Sequence, residues 1–382
     1  MHAHSRRGFL RQTLGACWTG AALLDQAVFR AARARAQSAA ALPELFDVEK
    51  VAEGVWAAIA RPTALINCNA AIFETGAGLM IVDTHSKPSA VASLVSRIRR
   101  GISDKPVRWI VNTHFHWDHT QGTPTYKRIA LSADIVSSEA TRNLIAENGA
   151  ARLKESLDQT RKSIDGYQEK AAKSRSPEEK TYWQRMANEA REYLVEMRDY
   201  TPELPNVTFG ANLVIRAKDH DLHLSFLGRG HTAGDIVVCC PQKKVIATGD
   251  LLHSFAPYIP DGYPKDWPRT LRAAGQLDFE RAIGGHGAVQ QGRQRLTNMA
   301  NYIDELAAAV SAGRKQGRSA AELQAALSPK SFKSLADGGY GNFIVDSLLK
   351  YTPVAPGTTR TEVLTGAVRT NIQDTYTAAD RI

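Results

Sequence analysis

The sequence predicts a mixed α/β fold in which helices cover sheets, and three observations predict it. Short apolar runs split by glycine and turn residues recur from Val55 to Val111, interrupted by one helical pattern. A second set of strand-like runs returns between Val207 and Gly287. Between and after these sets lie stretches whose apolar positions recur at helical spacing. That order suits layers of helix packed on sheet.

At 382 residues the chain could hold one large domain or two small ones. A hydrophobic fraction of 43% and a charged fraction of 23% are ordinary for a soluble globular protein. The net charge of +9 is partly local: residues 1–36 carry six Arg and one Asp, +5, which leaves +4 for the rest. No basic stripe with interleaved aromatics is present, so a nucleic-acid partner is not expected.

The N-terminus has the pattern of a targeting segment. Ser5-Arg6-Arg7-Gly8-Phe9-Leu10-Arg11 resembles the twin-arginine export signal. The weakly apolar stretch Leu14 to Leu24 is too short to span a bilayer, and Ala34-Arg35-Ala36 offers a small-x-small cleavage site before Gln37. Residues 1–36 are therefore expected to be a removable signal, with a periplasmic or secreted product and no stable membrane insertion afterwards. An amphipathic surface arm is the blander reading. Leu14-Gly15-Ala16-Cys17 also resembles a lipoprotein box, although little apolar sequence precedes it.

The elements follow in order. Val55–Ile59, Asn69–Glu74 and Leu79–Asp83 are predicted strands, the last two joined by the tight turn Thr75-Gly76-Ala77-Gly78. A helix starts near Lys87-Pro88-Ser89, with Val91, Leu94, Val95 and Ile98 on one face. The strand Val107–Val111 comes next. Residues 139–201 predict a helical hairpin, turned at Ser176-Pro177 with Ser176 as N-cap and Glu179 as capping-box acid. The hairpin fits a lid or wall over a site, a dimer arm, or a packed insertion. Strands resume at Val207–Phe209, Leu213–Ile215, Leu222–Leu227, Asp235–Cys240, Val245–Leu251 and Arg281–Gly287. After about residue 290 the chain is mostly helical; Gly313 and Gly317 should break the long face of Leu296, Met299, Tyr302, Ile303, Leu306 and Val310. Ser319 to Glu322 forms another capping box, and the Thr- and Ala-rich end from Thr352 suggests no chemistry. Residues 37–295 thus form the predicted catalytic domain and 296–382 a helical extension.

Four cysteines are present, Cys17, Cys68, Cys239 and Cys240, with no zinc-finger spacing. Buried structural thiols are the default. Cys239 and Cys240 should face opposite ways on one strand, and a disulfide from Cys68 to either is a weaker expectation in an oxidising compartment.

Chemistry concentrates in His114-Phe115-His116-Trp117-Asp118-His119, at the end of a predicted strand. A loop there can aim alternate side chains at one point, so His114 and His116 could share one metal, and Asp118 and His119 could reach a second. Later come Gly230-His231-Thr232, Thr248-Gly249-Asp250 and Gly285-His286-Gly287. Each alone is weak, because a strand-end His is more often a hydrogen-bonded structural residue.

Together and in this order, these motifs resemble the metallo-β-lactamase superfamily over about residues 45–290. The resemblance implies an αββα four-layer sandwich with two zinc ions per chain at the sheet edges. It implies His114, His116 and His231 on one zinc, Asp118, His119 and His286 on the other, and Asp250 bridging both. Asp83 matches the superfamily's structural Asp near the site. Flavodiiron relatives usually carry Glu at the position of His116, so His116 argues for zinc. A ligand set of nitrogen and oxygen without thiolate agrees.

The expected activity is an exported zinc hydrolase in which a metal-bridging hydroxide attacks a small ester, lactone, amide or lactam, with Asp118 orienting the nucleophile and shuttling a proton. β-Lactamases of this pattern usually have Cys or Ser where Asp250 stands; Asp250 resembles glyoxalase II, lactonases and organophosphate hydrolases. β-Lactamase activity proper, a mononuclear-iron persulfide dioxygenase and a non-catalytic zinc-binding relative are the alternatives. The expected partner is a small-molecule substrate, with a homodimer conceivable. His85, His253 and Tyr258 are the candidate pocket residues, the last two with oxyanion-stabilising or packing roles open.

Overall fold

The computed structural model describes residues 44–336 and 339–381. The expected export signal, its cleavage site and Cys17 lie outside the described residues. Among the described residues two sheets form, of seven and six strands. The first runs β1 (Phe46–Ala52), β2 (Val55–Ala60), β3 (Ala70–Thr75), β4 (Gly78–Val82), β5 (Val107–Val111), β6 (Asp134–Ser138) and β7 (Val207–Phe209) in spatial as in chain order. Its first four strands pair antiparallel and its last four parallel. The second sheet comprises β8 (Asn212–Arg216), β9 (Asp221–Phe226), β10 (Ile236–Cys240), β11 (Val245–Gly249), β12 (Arg281–Gly284) and β13 (Gln290–Gln291). Only β11 and β12 pair parallel there.

The period-two alternation of the strands builds the layers. Ala71, Phe73, Met80, Val82, Val111 and Val136 point to the space between the sheets, where they meet Leu224, Ile236, Val238, Val245 and Ala247. Their strand neighbours Ile72, Leu79, Ile81, Ile110 and Ile135 point outward onto helix α1 (Pro88–Gly101) through Val91, Leu94 and Ile98. On the opposite outer face Val237, Cys239, Ile246 and Ala282 join the core of the C-terminal helices. This is the αββα sandwich. Cys239 and Cys240 fall in different cores, as their adjacency on one strand requires. Cys68, Cys239 and Cys240 are free buried thiols, so no disulfide links them: the two candidate partners are committed to packing.

Helices α2 (Trp117–Thr120) and α3 (Thr123–Ile129) follow β5. The hairpin is α4 (Glu139–Lys173) and α5 (Pro177–Glu196). Ser176 accepts from the Glu179 backbone N at 3.1 Å, but the Glu179 carboxylate reaches back to the Arg175 N at 3.0 Å rather than to that of Ser176. The expected capping box is therefore half made. The hairpin is bound to the sandwich: the Tyr193 hydroxyl donates to Gln121 Oε1 at 2.8 Å, and Glu196 accepts from the backbone and hydroxyl of Ser89.

The C-terminal part comprises α6 (Trp267–Ala274), then α7 (Gln294–Lys315), α8 (Ala320–Ala326), α9 (Lys333–Ala336), α10 (Tyr340–Tyr351) and α11 (Arg360–Ala378). The apolar stripe from Leu296 to Val310 is fully buried. Gly313 does not break α7: it lies inside the helix, where a Cβ would come 2.3 Å from Leu323 Cδ2. Close packing, not termination, requires glycine there. Gly317, with φ +74°, does follow the helix end. These helices belong to the same compact unit as the sheets, Glu44–Ile382. No described helix is long and apolar enough to cross a membrane.

Candidate metal centre

The site lies where β4, β5, β11 and β12 end. Backbone bonds tie these ends together: Asp83 N to Val111 O (2.8 Å), Ile236 N to Thr113 O (3.0 Å), Gly285 N to Gly249 O (2.8 Å) and Asn69 N to Gly285 O (2.7 Å). After β5 the chain extends through His114 and reaches His116, the N-cap of α2. The single turn of α2 then carries Asp118 and His119 to the neighbouring position. The predicted loop is therefore partly a helical turn, and its first-turn Asp suits the helix N-terminus.

Three more loops close the site. Asp235 tightens the His231 loop by accepting from the Thr232 N (2.8 Å) and Oγ1 (2.6 Å). Burial pushes its carboxyl up to about 7 despite those two bonds. Gly249, with φ +52°, turns the chain so that Asp250 enters; a Cβ there would sit 2.1 Å from Thr113 Oγ1. Gly285 allows a closer approach than Gly249, since its Cβ would lie 1.9 Å from Asp250 Oδ1 and 2.9 Å from His119 Cε1.

Each of the five histidines uses one ring nitrogen on a protein partner. His119 Nδ1 donates to Asp83 Oδ2 at 2.8 Å, His231 Nδ1 to Tyr258 O at 3.0 Å, and His286 Nδ1 to Asn67 O at 3.2 Å. His116 Nε2 donates to Asp261 Oδ2 at 2.9 Å. The Thr113 hydroxyl donates to Asp83, so it accepts from His114 Nδ1 at 3.0 Å. In the neutral ring, the form that ligates a metal, these bonds leave the second nitrogen as a lone pair.

The lone pairs converge. His116 Nδ1 and His231 Nε2 lie 2.8 Å apart. With both ring protons placed elsewhere, neither can donate to the other, and a cation between them resolves the contact. His114 Nε2, His119 Nε2 and Asp250 Oδ1 are buried without a hydrogen-bond partner. Uncompensated buried polar atoms are costly, and a metal ion is the partner this donor set fits. Two groups stand out: His114, His116, His231 and Asp250, and beside them Asp118, His119 and His286, the potential ligand atoms of each lying within 4.8 Å of one another. Asp250 Oδ2 also lies 3.3 Å from His286 Nε2, which joins the groups.

Electrostatics follow the same division. Burial and the neighbouring imidazoles hold His114 and His231 well below the ordinary histidine range, hence neutral. Burial also disfavours charge on His286, but Asp250 and Asp118 outweigh it and raise the ring to about 9. Burial would raise Asp118, yet His119 and His286 hold it below the usual carboxylate range. The second group thus concentrates negative charge where a cation would sit.

Residues 64–286 match the family model described as the metallo-beta-lactamase superfamily. The chain belongs to that superfamily. It is also similar to solved structures. A metallo-beta-lactamase from Pontibacter korlensis aligns at 20% identity over 67% of this chain and 98% of its own, with a TM-score of 0.49. DIM-1 metallo-beta-lactamase aligns at 17% identity over 67% of this chain and 96% of its own, with a TM-score of 0.47. The stereoselective inverting sec-alkylsulfatase Pisa1 from Pseudomonas sp. aligns at 16% identity over 87% of this chain and 50% of its own, with a TM-score of 0.58. The chain spans half the length of that last protein, and the likeness is one of fold.

The predicted His and Asp set is gathered at one edge of the sandwich. Of the predicted pocket residues, His253 and Tyr258 line a cavity of about 480 Å³ above it. His253 is buried and held well below its ordinary range, to about 4, by burial; its Nδ1 accepts from the Phe255 N at 3.2 Å, which puts its proton on Nε2. Tyr258 is half-exposed, and burial of its hydroxyl end pushes it up to about 12. His85 does not line the cavity. It is wholly buried behind the site, with Nδ1 3.3 Å from Cys68 O and its ring 4.4 Å from that of Phe46. Burial lowers it to about 3, and it packs as a neutral core residue. Cys68 is close by and fully buried, its Sγ 3.8 Å from His85 Nδ1, and burial pushes its thiol up to about 12; it belongs to neither of the two ligand groups.

Two contributors escaped the sequence reading. Asp261 orients His116 and is itself gripped by Arg152 of α4, through Nη1 (2.8 Å) and Nη2 (2.6 Å). The C-terminal helices α10 and α11, which offered no chemistry in sequence, form one wall of the cavity through Leu348, Ala367, Thr370, Asn371 and Asp374.

Proposed function

We propose that this superfamily member is an exported, zinc-dependent hydrolase with two ions per chain, acting on a small ester, lactone, amide or lactam. The observation that carries the reading is the pair of facing lone pairs on His116 and His231, amid five imidazoles each oriented by a protein acceptor. His114, His116 and His231 would hold one ion, Asp118, His119 and His286 the other, and Asp250 would reach both. Imidazole and carboxylate without thiolate favour zinc. Such ions, when bound, supply Lewis acidity and lower the pKa of water.

The chain's own residues complete the chemistry. Asp118 stands at the cavity floor and stays ionised, so its free carboxylate oxygen can take a proton from water and return it to a leaving group. Neutral His253 Nε2–H and the Tyr258 hydroxyl can donate to an oxygen that gains negative charge. Much of the cavity lining around them is apolar. Export rests on the Arg6-Arg7 signal pattern and the small-x-small site at Ala34–Ala36, and small substrates from the periplasm or medium would be the partners.

Metal analysis combined with a panel of chromogenic esters, lactones, phosphotriesters and a cephalosporin tests this reading. Two zinc ions per chain and turnover of one carbonyl class support it. Tight binding of a single iron with oxygen consumption would sink it. For export, replacing Arg6 and Arg7 by Lys should retain the full-length chain in the cytoplasm.

A further inference from the structure

Beside the metal cavity lies a second one, of about 640 Å³, between the hairpin and the loop that carries the first ligands. His116, Trp117, Arg152 and Tyr258 line both cavities, so the two adjoin beside a metal ligand. Ile145, Gly149, Arg152, Ser156, Gln159 and Ser163 bring one face of α4 to the second cavity, at helical three- and four-residue spacing. Leu65, Trp117, Leu153, Tyr200 and Pro202 make much of the remaining lining apolar or aromatic.

One side chain in this wall offers a donor. Gln121, the C-cap of α2, is only 3% exposed and lines the second cavity. Its Oε1 accepts from the hydroxyl of Tyr193, a wholly buried residue of α5, at 2.8 Å, and this bond sets which way the amide points. Nε2 has no hydrogen-bond partner among the described residues, and it is not sealed from solvent as the unpartnered atoms of the metal centre are. The little surface that Gln121 exposes therefore includes this amide N–H₂ group, and it opens into the cavity that the residue lines. A donor held in a buried wall without a protein acceptor is costly unless a water or a ligand meets it. The charges nearby do not ask for an anion. Arg152 is held by its two bonds to Asp261, and Glu155, exposed on α4, adds a negative charge to the lining. A neutral acceptor oxygen suits this wall, whereas a carboxylate would meet the field of Glu155.

We infer, on the hydrolase reading above, that the substrate spans both cavities and that the part lying beside the hairpin is a neutral group with an acceptor oxygen, an ether or carbonyl, which takes a hydrogen bond from Gln121 Nε2. The hairpin is then a substrate-binding wall: α4 supplies one side of the subsite, and Tyr193 of α5 positions the amide that reads the acceptor.

The test uses the zinc-loaded protein and two pairs of esters, each pair matched in shape with and without one acceptor oxygen. The first pair, 4-(methoxymethyl)phenyl acetate and 4-propylphenyl acetate, varies the leaving group. The second, 4-nitrophenyl 5-methoxypentanoate and 4-nitrophenyl heptanoate, varies the acyl group. In one pair the ether should be preferred in kcat/KM by about three- to tenfold, and the pair that shows it identifies the end of the substrate beside the hairpin. A ratio within a pair is unaffected by a general loss of activity. Gln121→Leu should bring that ratio to about one or below. Gln121→Glu, which still accepts from Tyr193 but turns an acceptor towards the cavity, should reverse the preference. No ether preference in either pair, or a preference unchanged in Gln121→Leu, overturns the inference. If no ester is turned over, the hydrolase reading fails, and calorimetric binding of 4-(methoxymethyl)phenol against 4-propylphenol decides the subsite by itself. Tighter binding of the ether by the wild type but not by Gln121→Leu supports the acceptor subsite; equal binding removes it.

Discussion

Asp261 Oδ2 lies 2.9 Å from His116 Nε2, and this one bond decides which nitrogen of His116 faces His231. A carboxylate behind a ligating imidazole fixes the tautomer and raises the ring's basicity. Asp261→Ala should therefore lower zinc affinity by about 10–100-fold with the fold intact. Arg152→Ala should cost less, because a partly exposed ion pair contributes only about 0–1 kcal/mol. Competition against a chromophoric chelator measures both. Equal affinities in wild type and Asp261→Ala would show that His116 needs no such support.

Gly285 is a tight point of the site, and a methyl group there meets Asp250 Oδ1 at 1.9 Å. Gly285→Ala should expel Asp250 from its position and lose most bound zinc, while far-ultraviolet circular dichroism stays near that of the wild type. Gly292 gives the control: its φ is positive, +64°, but a Cβ there meets nothing within 4 Å. Gly292→Ala should cost only the left-handed backbone penalty, about 1–2 kcal/mol, and keep its metal.

The contrast between those two glycines shows what sequence can and cannot carry. The layers were legible because the short apolar runs of β2 to β5 and β9 to β11, bounded by glycine and turn residues, are a local property that survives folding. Most of the second-sheet strands and the metal-site residues were legible because ligating side chains cluster at strand ends in recognisable types. β1 was missed because its sequence, Phe-Asp-Val-Glu-Lys-Val-Ala, is that of a charged edge strand with few buried positions. β6 is five residues long and ends in two serines, one of which caps α4. Asp261 was out of reach for another reason. Its meaning comes from a partner 109 positions away, Arg152, which no local pattern joins. His85 erred in the opposite direction: it stood as a candidate pocket residue because it falls where many members of the superfamily have a small one, but with φ +73° its ring is buried in the core.

Asp83 adopts φ +68° while almost wholly buried, and accepts from Thr113 N (2.9 Å), Thr113 Oγ1 and His119 Nδ1 (2.8 Å). A non-glycine residue holds that conformation only where the surroundings over-determine it. Asn tolerates the same backbone, yet its amide N–H₂ must face one of these donors. Asp83→Asn should thus destabilise by about 1–3 kcal/mol, and Asp83→Ala by more, since it orphans every donor and keeps the backbone strain. Urea denaturation of the chelated protein isolates this term. Zinc titration of the same variants should show weaker binding as His119 loses its tautomer control.

Removing the metal should destabilise the protein in a way that identifies the ion. Without a cation, the lone pairs of His116 Nδ1 and His231 Nε2 face each other at 2.8 Å, and Asp250 Oδ1 has no hydrogen-bond partner. A ligand that binds only the folded state adds about 4 kcal/mol when present at a thousand times its Kd, so chelation should lower Tm by several degrees. Zinc or cobalt should restore it. Calcium should not, because it takes oxygen ligands and this site offers five imidazoles. Asp250→Ala should melt like the chelated wild type and respond little to added zinc, since the carboxylate that reaches both groups is gone. A melting curve indifferent to chelator would mean that the convergent lone pairs are satisfied by protons, and the metal reading of the cluster would fall with it.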